Sequence, residues 1–153
     1  MESCSWRTLP GLITVFSVFL APHIGFTQVS KTMPVAVSHR GVDEVGRSVA
    51  HRLEEAIRAS KRFSLIAQNT PRPRIIITLD SVVVPQLQGQ VSAIGISFIY
   101  YRRGLPGVGV FLGTAVNSCS LKIIESCPQS IIPKLEEAAD FLKRHDPDLW
   151  NTL

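Results

Sequence analysis

The sequence predicts an α+β fold: a two-layer sandwich in which an antiparallel meander sheet of about three to five strands is covered by an N-terminal and a C-terminal helix. Three observations support this prediction. Apolar residues recur every three or four positions near both ends of the folded region, which is typical of amphipathic helices. Three long β-branched runs with short links lie between them, as in a meander. Two such helices each need an apolar surface to cover, and one sheet provides it.

The length and composition favour one folded domain. The chain has 153 residues, of which 45% are hydrophobic and 18% charged, and its mean hydropathy is +0.20. This composition excludes a disordered chain, and the length leaves no room for two ordinary domains. The three cysteines are too few for a disulfide-framework miniprotein.

The first 27 residues form a segment that we expect to be removed. A short start carries Arg7, and an apolar run without charges follows from Leu9 to Ala21, where Pro22 interrupts it. This pattern is typical of a secretory signal peptide, whereas a spanning helix needs about 20 apolar residues. We therefore predict a signal peptide over 1–27 and a single domain over 28–153. The protein is then periplasmic or secreted, with no stable membrane span after cleavage.

The charge pattern argues against a nucleic-acid partner. After cleavage the chain keeps 15 basic and 11 acidic residues, which leaves the net charge of +4 unchanged. The basic residues are scattered, and no run of five like charges occurs. The mild positive balance favours anionic surfaces such as cell envelopes.

The first helix is predicted over residues 42–60. Apolar residues recur there at helical spacing, while acidic residues lie near the start and basic residues near the end, as the helix dipole prefers. The predicted apolar stripe consists of Val42, Val45, Val49, Leu53, Ala56 and Ile57.

Four strands are predicted after this helix. A short β-like run over Phe63–Ala67 is followed by long runs over Arg74–Val84, Val91–Tyr101 and Val108–Val116. In Val91–Tyr101 large apolar residues alternate with small ones, so one face is bulky and the other is flat. Val35–Val37, before the first helix, could add a further strand.

The C-terminal part returns to helical spacing. We predict a short helical piece near 120–126 and a main helix over 129–144, with Asp146-Pro147 as its stop. Pro128 and Pro133 should prevent one continuous helix over the whole region.

A phrase in the middle of the chain carries a family resemblance. Leu53-x-x-Ala56-Ile57-x-x-Ser60-x-x-Phe63-x-Leu65-Ile66 leads from the first helix into the short strand, and long strands and a closing helix follow. This order resembles the small α/β domains of bacterial envelope proteins: the TolB amino-terminal domain, the curli-secretion lipoprotein and the outer-membrane activators of penicillin-binding proteins. The resemblance implies an envelope assembly or binding module without catalysis.

The residues offer no cofactor or metal site. Gly107, Gly109 and Gly113 lie within a strand pattern, whereas a dinucleotide loop joins a strand to a helix, so we expect them on one flat sheet face. His51 and Glu55 are helix neighbours, which suits a metal ligand pair but equally a solvated pair. Asp80 stands alone among apolar strand residues, and we expect it exposed on the open face of the sheet.

Two cysteines remain after cleavage, Cys119 and Cys127. An even count in an exported protein indicates a disulfide. Eight residues of continuous helix would span about 12 Å, too far to bridge, so the chain between them must turn. Two buried free thiols are the alternative.

The turn after the third predicted strand is a candidate binding site. Tyr101, Arg102 and Arg103 combine residue types that are favoured in interfaces; an ordinary solvated hairpin is the alternative. We therefore expect an exported, non-enzymatic protein of the bacterial envelope that binds a protein partner. A small secreted hydrolase inhibitor, with Arg102–Pro106 as its projecting loop, is the other hypothesis.

Overall fold

The computed structural model describes residues 31–71, 73–87, 90–102 and 108–148. The predicted signal peptide therefore lies outside the described residues. In chain order the elements are β1 (Met33–Arg40), α1 (Glu44–Ala59), β2 (Phe63–Leu65), β3 (Arg74–Val83), β4 (Val91–Tyr101), β5 (Gly109–Ser120) and α2 (Cys127–His145). Short 3-10 helices cover Pro85–Leu87 and Leu121–Ser126.

The five strands form one mixed sheet in the order β2-β1-β3-β4-β5. The α+β class is confirmed, and β3, β4 and β5 are antiparallel neighbours as predicted. The prediction of a purely antiparallel meander is wrong, because β1 runs parallel to both β2 and β3. The predicted extra strand at Val35–Val37 belongs to β1, and α1 connects β1 to β2. The helix brings the chain back to the end of the sheet at which β1 begins, so β1 and β2 run parallel. The first helix is therefore a crossover within the sheet, not an element that precedes it.

The start of α1 differs from the prediction by two residues. The helix begins at Glu44, and Asp43 caps it by accepting a hydrogen bond from the backbone N–H of Gly46. Val42, which the sequence placed on the apolar stripe, is 94% exposed. An N-cap residue is extended rather than helical, so the residue before it is not held on the helix face.

One core joins both helices to the sheet. Val45, Val49, Leu53 and Ile57 of α1 are fully buried, and they belong to the same cluster as Leu135 and Leu142 of α2. The bulky face of β4 supplies the sheet side of this cluster through Ile94, Ile96, Phe98 and Tyr100. The alternation predicted for β4 is thus confirmed.

The C-terminal region divides as predicted into a short helical piece and a main helix, whose bounds differ from the prediction by one or two residues. A 3-10 helix covers residues 121–126, and α2 then runs through Pro133 to His145. Pro128 lies in the first turn, where its missing N–H has no partner in any helix. Among the described residues, the helices lack the uninterrupted apolar length that a membrane span requires.

A bulge changes the faces of β5. Gly113 pairs with Phe98 and Gly109 pairs with Tyr101, with a register shift between Phe98 and Ile99. Since Phe98 and Tyr101 lie on opposite faces of β4, the two glycines do as well. The prediction that they share a face is therefore wrong for this pair, and Gly107 lies outside the described residues.

Candidate functional site

A buried polar cluster joins four elements at one end of the sheet. It lies where β1 and β3 end and where α1 and β4 begin. The Asp43 carboxylate accepts hydrogen bonds from Gly46 N–H at 2.6 Å, from Ser92 Oγ at 2.7 Å and from Ser81 Oγ. His39 Nε2 lies 2.7 Å from Ser81 Oγ. The side chains of Asp43, Ser81 and Ser92 are buried, and His39 is half-buried.

The cluster contains an aspartate, a histidine and a serine, which are the residue types of a hydrolytic triad. Their hydrogen bonds, however, do not run from serine to histidine to aspartate as they do in such a triad. Burial favours a raised pKa for Asp43, but the hydrogen bonds from Ser81, Gly46 and Ser92 together outweigh it and hold the pKa below its usual value. The carboxylate is therefore ionised at neutral pH, and it takes the single proton of the Ser81 hydroxyl. His39 must then donate its Nε2–H to Ser81 Oγ. A catalytic serine gives its proton to the histidine, so this geometry does not activate Ser81 as a nucleophile.

The physical role of the cluster is to hold elements in register. One carboxylate satisfies a helix N-terminus and two buried hydroxyls, which ties α1 to β3 and β4. The backbone of α1 approaches β3 closely here, because a Cβ added at Gly46 would overlap the Ser81 side chain. Gly41, just before the cap, has a φ of +151°, which residues other than glycine rarely adopt.

Sequence reasoning recognised Asp43 only as an acidic residue near the helix start. The signal that was available is that aspartate is a favoured N-cap residue and that Asp43 stands at the start of the predicted helix. Ser81, Ser92 and His39 are 38, 49 and 42 residues from their cluster partners, and nothing in the sequence links them.

The second feature is the sheet face that the helices do not cover, which we call the open face. Its floor along β4 is made of small residues, and the neighbouring strands raise side chains on both sides of that floor. Val82 of β3 is 68% exposed, Phe111 of β5 is 63% exposed and Val116 of β5 is 80% exposed. Towards β1 this face is buried, since Ala36 and Thr78 are 0% and 7% exposed, so the open part lies over β4 and β5. The floor consists of Ala93, Gly95 and Ser97, with Ile99 and Tyr101 at one end.

The predicted binding residues lie beside this face. Tyr101 is half-buried on the open face, and the Arg74 guanidinium carbon lies 5.4 Å from its ring centroid. Arg102 is exposed, while Arg103 and the remainder of the turn to Gly107 lie outside the described residues. The neighbouring Tyr100 belongs to the core; its burial, reinforced by Asp146 and opposed by Arg102, raises the pKa of its hydroxyl to about 12.

The structure also shows where the two cysteines and Asp80, which the sequence analysis singled out, lie in the fold. Cys119 and Cys127 lie at disulfide distance, with their Cα atoms 6.2 Å apart, because the chain turns through the 3-10 helix between them. Asp80 is exposed on the open face, opposite Arg40 and Gly95, as predicted.

The helix side of the molecule carries a shallow groove of about 740 Å³ between α1 and α2. Ala56 and Ile132 line its apolar part. At its rim Arg52 donates to Glu55 at 2.8 Å and pairs with Glu125 at 2.6 Å, and the hydrogen bond to Glu55 followed by the charge of Glu125 raises the pKa of Arg52. These charges are therefore paired with one another across the rim.

His51 and Glu55 stand beside this rim, and their side chains approach to 3.5 Å. Both are well exposed, and no third metal ligand joins them among the residues that the structure describes. Their arrangement is that of a solvated helix pair.

Comparisons with known proteins give no family for this chain. No model of a known protein family matches the sequence, and no curated protein matches it significantly.

Proposed function

We propose that this protein is an exported binding and assembly protein of the bacterial cell envelope, and that it binds its protein partner through the open face. The observation that carries the proposal is the exposure of Val82, Phe111 and Val116 on a sheet face with a flat floor. Large apolar side chains exposed together on one face are typical of interaction sites.

The shape of the open face supports a protein partner in particular. Small residues along β4 let a partner approach the backbone closely, while the side chains of β3 and β5 flank it. Ile99, Tyr101 and Phe111 form an aromatic and apolar end to this floor, and residues of this kind anchor interfaces.

The polar cluster supports a role without catalysis. Its carboxylate accepts hydrogen bonds from three donors, and the Ser81 hydroxyl donates to Asp43 rather than to His39. The residues that resemble a triad are thus engaged in holding α1 on the sheet.

Two features support export. The apolar run from Leu9 to Ala21 has the length of a signal-peptide core. Cys119 and Cys127 lie at disulfide distance, and disulfides persist in oxidising compartments such as the periplasm.

Binding is tested with one variant on each side of the molecule. Phe111→Glu places a charge on the open face, and Ile123→Glu is the matched control, since Ile123 is 52% exposed in the 3-10 helix before α2. We expect a partner captured from envelope extract by the wild-type protein to be retained by Ile123→Glu and lost by Phe111→Glu. Equal capture by both variants would remove the open face from the proposal.

Export is tested on the same preparation. Expressed with its native start, the protein should have an intact mass that corresponds to a chain beginning near Gln28. A cytoplasmic product that retains residues 1–27 would contradict the export proposal and leave the binding measurement unaffected.

A further inference from the structure

β5 forms a long outer edge of the sheet in the part of the chain that the structure describes. β5 contains 12 residues and pairs on one side with β4. On its other side no strand of the described residues is present, since β5 ends the sheet order. The opposite edge strand, β2, has only three residues. Natural sheets keep edge strands short because free N–H and C=O groups invite pairing with another chain.

The sequence of β5 lacks the residues that usually prevent such pairing. Gly109–Ser120 contains no charged residue and no proline, in a chain that has 16 basic and 12 acidic residues. Lysine and proline are the common means of blocking an edge. The one irregularity is the bulge at Leu112, which leaves Gly113–Ser120 as a regular stretch.

The hydrogen-bond pattern shows which residues face outward. Val84 N–H donates to Val91 O at 2.9 Å, so Val91 and every second residue of β4 bond to β3. The alternate residues of β4 then bond to β5, and they engage Gly113, Ala115, Asn117 and Cys119. The backbone groups of Thr114, Val116 and Ser118 therefore point to the free edge.

From these observations we infer that β5 pairs antiparallel with β5 of a second copy of this chain, about a two-fold axis at Val116. The centre of the regular stretch lies between Val116 and Asn117, and of these two Val116 has its backbone groups directed outward. The pairing forms a continuous sheet of ten strands from two copies of the five-stranded sheet.

A second copy fits this edge because the strand is complementary to itself. With the axis at Val116, the two Val116 side chains lie opposite each other, and Thr114 lies opposite Ser118 of the other copy. An apolar pair and a hydroxyl pair are both favourable cross-strand neighbours. The net charge of +4 makes copies repel elsewhere, but β5 carries no charge to oppose its own approach.

The pairing uses the edge of β5 and is measured on the purified protein alone, so its failure is distinguishable from failure of the proposed function. An edge of about eight residues buries less than a standard interface, so we expect a weak dimer.

The test is sedimentation equilibrium of the protein purified after expression with its native start, over about 1–300 µM. Val116→Lys places two like charges opposite each other at the axis and should weaken self-association by about tenfold or more. Val82→Lys is the matched control, because Val82 is similarly exposed on the open face but lies on β3, away from the edge.

The register is tested by Val116→Cys, which should form a disulfide between copies on mild oxidation, whereas Val82→Cys should not. Wild-type protein that stays monomeric throughout the concentration range overturns the inference. So does a dimer that Val116→Lys and Val82→Lys weaken equally, since the open face rather than the β5 edge would then join the copies.

Discussion

Removing the Asp43 carboxylate tests whether the polar cluster holds α1 on the sheet. In Asp43→Ala the backbone N–H of Gly46 loses its cap, and the buried hydroxyls of Ser81 and Ser92 lose their acceptor. Val42→Ala is the matched control, because the neighbouring Val42 side chain is almost fully exposed.

The magnitude follows from the three hydrogen bonds. A hydrogen bond to a charged group contributes about 1.5–3 kcal/mol, and loss of an N-cap alone costs up to about 2 kcal/mol. The losses are not additive, since Ser81 keeps His39 as a neighbour and desolvation of the carboxylate is relieved. We expect Asp43→Ala to lower the free energy of unfolding by about 3–5 kcal/mol and Val42→Ala by less than about 0.5 kcal/mol.

The pH dependence gives an independent check. Because the pKa of Asp43 is held below its value in the unfolded chain, its stabilisation is complete above the unfolded-state pKa and is lost as the pH falls through the folded-state pKa. Denaturant unfolding should therefore show a constant difference between wild type and Asp43→Ala from pH 7 to about pH 5, which shrinks below about pH 4. A difference under about 1 kcal/mol at pH 7, or one that does not change between pH 7 and 2.5, would refute this account of the cluster.

The helices and strands whose apolar residues recur at a regular spacing could be predicted from the sequence. β4 has the bounds that its alternation indicates, and the buried residues Val45, Val49, Leu53 and Ile57 of α1 lie on the predicted stripe. A single period fixes which side of an element is apolar, and burial of that side follows. β5 extends four residues beyond its predicted end, because residues such as Asn117 and Ser118 have low strand propensity but are paired with β4.

Features that depend on distant neighbours could not be predicted. The parallel pairing of β1 with β3 is decided by how the chain returns after α1, and the sequence of either strand is compatible with both directions. The bulge at Leu112 puts Gly109 and Gly113 on opposite faces of the sheet, and no residue near it in the sequence indicates a bulge. The polar cluster is assembled only when the sheet forms, so the sequence alone does not distinguish its serines from other strand residues.

Two further predictions test the core and the cysteine pair. Leu53→Ala removes a fully buried side chain and should lower the free energy of unfolding by about 2–5 kcal/mol. Glu54→Ala loses only an exposed ion pair with Arg58 and should lower it by about 0.5 kcal/mol or less. Equal denaturation midpoints of the two variants would contradict the placement of α1 on the core. Cys119 and Cys127 should be bridged in protein recovered from an oxidising compartment, so that neither thiol reacts with an alkylating reagent until a reductant is added. Closing a loop of eight residues removes unfolded-chain entropy that corresponds to about 2–3 kcal/mol, and reduction should lower the free energy of unfolding by that amount. A variant with alanine at both positions is the control, because a reductant should leave its denaturation midpoint unchanged. Alkylation of both thiols without a reductant would show that the pair is close but unbridged, and the support that it gives to export would be lost.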